Sequence, residues 1–101
     1  MSLPPVAIVL PYREYFSPAS SGALGLLAHR AATWRDGFAP YVVGPPPPTP
    51  AFDDVPFHPA TATWWWPGNA AARYRHAVAG VLRRHPPALV EVHNRPELAL
   101  Y

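Results

Sequence analysis

The stretch Val6-Ala7-Ile8-Val9-Leu10 (VAIVL), set between Pro4-Pro5 and Pro11, decides how the rest of the chain is read. It is continuous, apolar and rich in β-branched residues. That is the pattern of a strand covered on both faces, which belongs in a parallel sheet flanked by helices. Working outward, the segment 11–21 (PYREYFSPASS) is a loop. After it, Leu24, Leu27, Ala28 and Ala31 fall at the i, i+3, i+4, i+7 spacing of an apolar helix face. Ser20 or Ser21 is the expected N-cap, and Gly37 the expected residue just past the end. Tyr41 to Gly44 reads as a second strand, giving a strand-helix-strand unit with parallel strands and a right-handed crossover.

The segment 45–50 (PPPPTP) lacks backbone donors and reads as a polyproline-like connector, with an SH3-type ligand as the other reading. A short third strand at Val55 to His58 is confined to an edge by its prolines. Asn69 is a good N-cap for a helix that aligns Tyr74, Ala77, Val78, Val81 and Leu82. Arg83, Arg84 and His85 complement the dipole of its last turn, and Pro86-Pro87 end it. Ala88 to Val92 forms a fourth strand. Beyond it Asn94 is an N-cap, Pro96 an early helical residue and Glu97 the acid of a capping-box-like start, with Leu98 and Tyr101 opening an apolar face. The expected fold is one α/β, Rossmann-like domain over residues 1–101. It has a mostly parallel sheet of about four strands in the order 3-2-1-4, two full helices and the start of a third.

Composition narrows the function. The chain of 101 residues is 50% hydrophobic and 14% charged, which suits a globular domain and leaves no room for a two-domain enzyme. Net charge is only +2, too small to imply nucleic acid, and all eight basic residues are arginine, which favours bidentate contact with phosphate or carboxylate. The absence of cysteine removes a disulfide framework, a thiolate nucleophile and a thiolate metal site together. The start carries no basic region ahead of an apolar run, and no run approaches the roughly 18 apolar residues of a membrane span. A cytoplasmic protein is expected. Sixteen prolines, abundant alanine and arginine and no lysine hint at a GC-rich bacterial genome.

In an open parallel sheet, ligands bind beyond the carboxyl ends of the strands where the order reverses. In the order 3-2-1-4 that point lies between strands one and four, so the loop from Tyr12 to Ser21 and the segment His93 to Arg95 line one crevice. His93 is either a strand-end histidine bonded to backbone or a site residue suited to sugar hydroxyls. Ser21-Gly22 is either an ordinary cap or a close-approach turn at a helix start that attracts anions. Tyr12, Arg13, Tyr15 and Phe16 either contact a ligand, an acceptor in the family resembled below, or pack onto the first helix. Arg95 is a phosphate grip or a solvated arginine, and Asn94 and Glu97 are caps before they are ligands. Trp64-Trp65-Trp66 offer sugar stacking, a membrane foothold, an interface or a core plug. Arg73, Arg75, Arg83 and Arg84 form a solvated helix face or a face for anionic lipid. The five histidines fall on different elements, which argues against a metal site. No GxGxxG follows the first strand and no G-x-S-x-G elbow is present.

Two stretches, VAIVLPYREYFSPASSGALGLLAHRAA (6–32) and PALVEVHNRPELALY (87–101), resemble the N-terminal half-domain of retaining, family-4-type glycosyltransferases of the GT-B fold. The resemblance implies an acceptor-side Rossmann-like domain facing a donor-binding domain that these 101 residues do not contain. It implies hexosyl transfer from a nucleotide-sugar to a carbohydrate or lipid-linked acceptor, without a metal or other cofactor. His93 matches a cleft histidine that contacts the transferred sugar. Ser21-Gly22 match a turn near the donor diphosphate, where many members carry two glycines. Arg13, Tyr15, Asn94 and Arg95, taken from the reading of the crevice, complete the candidate substrate-binding set. The chain alone is then expected to be inactive, with peripheral contact to the inner face of the membrane and pairing through the open sheet edge as further partners. The alternative is a non-catalytic sugar-binding or assembly module on the same fold.

Overall fold

The computed structural model describes residues 3–20, 22–33, 37–62, 65 and 67–92. It contains β1 (Pro5–Val9), α1 (Ala23–Thr33), β2 (Ala39–Gly44), β3 (Phe57–Pro59), α2 (Ala70–Arg84) and β4 (Leu89–Val92). The four strands form one sheet in the order β3-β2-β1-β4, and every neighbouring pair is parallel. This is the α/β arrangement expected from the sequence. The expected third helix after Asn94 lies outside the described residues.

β1 is central and its side chains divide by the two-residue period of a strand. Ala7 and Val9 join Tyr41, Val43 and Ala60 under Tyr74, Val78 and Val81 of α2. Ile8 and Leu10 join Val42 on the opposite face, with Ala28 and Ala32 of α1, Phe16 and Val55. α2 follows its sequence pattern: Asn69 Oδ1 accepts from the Ala72 N–H at 2.9 Å, and Ala77 and Leu82 pack beside the three buried residues. The buried Tyr74 hydroxyl donates to the Leu10 carbonyl, which ties the helix to the end of β1.

α1 differs from expectation in its face. Ala28 is buried and Ala31 half-buried, but Gly25 and Ala32 complete the inward stripe while Leu27 is 50% exposed beside the outward Leu26. Small residues let the helix axis approach the sheet, and Phe16, entering from the loop after β1, fills volume that leucines would have supplied. The cap also differs. The Gly22 carbonyl accepts from Leu26 N–H at 3.3 Å, and Ser20 is engaged elsewhere.

Two strand boundaries move for reasons of backbone bonding. β2 begins at Ala39 and includes Pro40, because the N–H groups at its even positions point toward β3. Val42 N–H reaches the Pro56 carbonyl at 2.9 Å, whereas β3 first pairs at Val42, beyond Pro40. The missing donor therefore has no partner to deprive. β3 sits two residues later at its start than the pattern suggested, since Pro56 supplies that carbonyl and Ala60 N–H closes on the Gly44 carbonyl at 2.8 Å. Val55 is instead a core residue of the preceding bend. Gly37, expected just past the end of the first helix, has a left-handed φ of 81°, but residues 34–36 between it and the end of α1 at Thr33 lie outside the described residues.

Two substitutions probe this packing by urea unfolding. Tyr74→Phe leaves the Leu10 carbonyl without its donor and is expected to cost about 1–2 kcal/mol. Leu27→Ser, on the outward side of α1, is expected to stay within about 0.5 kcal/mol of the parent. Loss above about 2 kcal/mol for Leu27→Ser would put that residue back in the core.

Candidate functional site

The reversal in strand order falls between β1 and β4, which lie side by side in the sheet. Val9 pairs in register with both Val43 and Val92, so the chain leaving β1 and the chain leaving β4 emerge side by side at the carboxyl rim. This is the geometry the crevice reading requires. Of the residues expected there, Ser21, His93, Asn94 and Arg95 lie outside the described residues, as do Glu97, Trp64 and Trp66. Trp65 is 64% exposed.

The loop after β1 turns at once, with Glu14 N–H donating to the Pro11 carbonyl at 3.1 Å. Arg13 takes a φ of 74°, a left-handed conformation uncommon for a side-chain-bearing residue, and its guanidinium carbon stands 5.3 Å from the centre of the Tyr12 ring. Tyr12 in turn packs on Tyr74, with ring centres 5.9 Å apart, so the arginine rests on a shelf anchored to α2. Burial pushes the Tyr74 phenol well above its ordinary ionisation range, which keeps it a neutral donor to Leu10. Tyr15 is half-buried, and Phe16 is wholly buried against Phe52 and Phe57, a core residue with no surface to offer a ligand.

Gly22 is exposed, as a close-approach turn should be, but a carboxylate stands over it. A β-carbon at Gly22 would lie 2.9 Å from Glu14 Oε2. The negative charge sits at the start of α1, where the helix dipole favours it. Glu14 is the one acid in the loop and was passed over because nothing in the sequence shows that the loop folds back onto Gly22.

A hydroxyl chain fixes the same loop from beneath. Ser17 Oγ donates to the Pro50 carbonyl at 2.8 Å and lies 2.6 Å from Thr49 Oγ1, which lies 2.6 Å from Ser20 Oγ. Since the Ser17 proton is committed to a carbonyl, Thr49 donates to Ser17 and Ser20 donates to Thr49. The proline-rich segment is thereby latched to the approach to α1, and Pro45 is buried. On the α1 face His29 Nε2 meets both Asp54 oxygens at 3.0 and 2.9 Å while its ring stacks on Phe52. This pair ties α1 to the 52–54 segment, and the His29 ring also lies 5.9 Å from that of Phe16.

Among the described residues no group of three or more His, Cys, Asp or Glu side chains gathers, and no helix is long and apolar enough to cross a membrane. Comparison with known proteins gives no match, whether to family models, curated proteins or solved structures.

The two rim glycines are expected to respond differently to alanine. Gly22→Ala displaces only the flexible end of Glu14 and is expected to change stability by less than about 1 kcal/mol. Gly68, ahead of the α2 cap, has a φ of 111° and an added β-carbon 2.9 Å from the Ala72 methyl carbon. Gly68→Ala is expected to cost about 1–3 kcal/mol by strain and overlap, read from the same denaturation curves.

Proposed function

We propose that this chain is the acceptor-side part of a nucleotide-sugar-dependent glycosyltransferase of GT-B type, and that alone it binds sugar without turning it over. The observation that supports this most is the parallel pairing of β1 with both β2 and β4, which brings the Pro11–Gly22 loop beside the exit of β4. His93 follows Val92 directly in the sequence, and in this reading it steadies the transferred sugar. Arg13, Tyr15, Asn94 and Arg95 frame the substrate, and the turn at Ser21-Gly22 lets it approach closely. Glu14 adds a carboxylate that accepts hydrogen bonds from vicinal hydroxyls. Chemistry requires the donor-binding domain, which supplies the diphosphate clamp that Glu14 does not favour.

Amide chemical-shift titration of the 101-residue chain with glucose, UDP and UDP-glucose tests the reading. Perturbation by the sugar-bearing ligands is expected at residues 12–22 and beyond Val92, with UDP alone weaker. Shifts absent from that rim at saturating sugar, or sugar transfer by this chain unaided, would overturn it.

The alternative, a non-catalytic assembly module, draws on the outer edge of β4. Leu89 and Val90 are 51% and 41% exposed on a strand paired only with β1 among the described residues. Such an edge is a template for pairing. Under this reading, sedimentation velocity shows a dimer that grows with concentration and is abolished by Val90→Lys. A monomer at every concentration removes it.

A further inference from the structure

A shallow depression lies at the opposite end of the sheet. α2 runs back along the strands, so its last turn reaches their amino ends and sets His85 onto His58 of β3. The two imidazoles stack with centres 4.0 Å apart and planes 18° from parallel. Tyr41 of β2 meets the His58 ring edge-on at 5.3 Å, and its hydroxyl donates to the His85 carbonyl, which fixes the backbone beneath that ring. An open hollow of about 470 Å³ adjoins them, walled by Pro5, Pro40, Pro56 and Pro86 and flanked by Arg84.

The chemistry of this hollow is cationic with flat apolar sides. Arg84 carries a fixed charge, and the His58 imidazole gains one only as pH falls through its lowered range. Two stacked rings direct their nitrogens within nearly parallel planes, which does not converge lone pairs on one metal ion at about 2.0–2.1 Å. No third ligating side chain gathers with them among the described residues. The groups facing His58 are Tyr41 from β2 and Arg84 and His85 from the end of α2. Partial burial, then His85, then Arg84 hold the His58 imidazole below its ordinary range. An oxyanion in the hollow reverses the last two effects by neutralising the positive charges that oppose protonation.

We propose that the Tyr41, His58, Arg84 and His85 hollow is a binding site for a small oxyanion, carboxylate or phosphate, carried on a planar apolar body that lies against the proline walls. It stands apart from the carboxyl rim and does not depend on what binds there. Anion affinity rises as pH falls, because the bound complex takes up a proton that the free hollow holds weakly.

The test is NMR titration of the intact chain, following the His58 and His85 ring protons. Benzoate and phenyl phosphate are the probes, acetate and inorganic phosphate the bare-ion controls and zinc the competing class. Expected are shifts at both rings with benzoate and phenyl phosphate. Affinity should be several-fold higher at about pH 5.5 than at about pH 7.5, and several-fold above that of the matching bare ion. Arg84→Gln is expected to weaken binding at both pH values, and His58→Phe, which preserves the aromatic stack, to reduce the pH dependence. Undisturbed amide shifts of β1 in each variant show that the fold is kept. Absence of shifts at the two rings overturns the proposal, as does affinity that rises with pH, bare ions binding as tightly as the aromatic ones, or zinc binding that acid abolishes.

Discussion

The fold depends on one constraint: β1 must be covered on both faces and paired on both edges at once. Val6, Ala7, Ile8, Val9 and Leu10 are each at most 1% exposed. Roughly 1.5–3 kcal/mol for each fully buried large aliphatic side chain makes this strand a dense source of stability in the chain. Meeting that constraint dictates the remainder. A parallel neighbour on each side requires crossovers, and α1 and α2, which lie in them, pack on opposite faces and shield alternate residues of the strand. The Tyr74 hydroxyl completes it, because it satisfies the carbonyl that β1 presents where the ladder stops.

Much of this was readable because the signals were periodic. A β-branched run between prolines, an Asn69 cap, and Tyr74, Val78 and Val81 at helical spacing each point to one element and one face, and the structure agrees. α1 was harder. Its leucines and alanines fit two overlapping stripes, and only a tertiary fact, the entry of Phe16 into the core, chooses the stripe of small residues and turns Leu26 and Leu27 outward. The start of β2 at Ala39 rather than Tyr41 has a related reason. Proline's cost in a sheet depends on which side its absent N–H would face, and that depends on where a neighbouring strand begins.

The candidate site was legible as a location more than as a set of contacts. Strand order follows from chain order and a rule about handedness, so the convergence of the two loops could be foreseen. The Glu14 carboxylate over Gly22 could not, since local spacing carries no information about how an eleven-residue loop returns on itself. The same holds for the pairing of His58 with His85. Their stack arises because α2 has the length to span the sheet, which brings a cap residue and an edge-strand residue together from distant parts of the sequence. The two ends of the sheet differ accordingly. One carries an acid among hydroxyls, the other a guanidinium and two imidazoles among prolines.

The pairing of Val6 with Leu89 has a consequence for how the molecule assembles. β1 is made before β4, and one of its edges stays open until α1, β2, β3 and α2 have been made and β4 follows. The β1-α1-β2-β3 portion can gather first, but its central strand is then itself a border, apolar on both sides and half bonded. Closing such a distant contact carries a large loop entropy and slows the search. Throughout that interval the nascent sheet is exposed to the wrong partner, so synthesis rate and chaperone access bear on yield more than the final packing suggests.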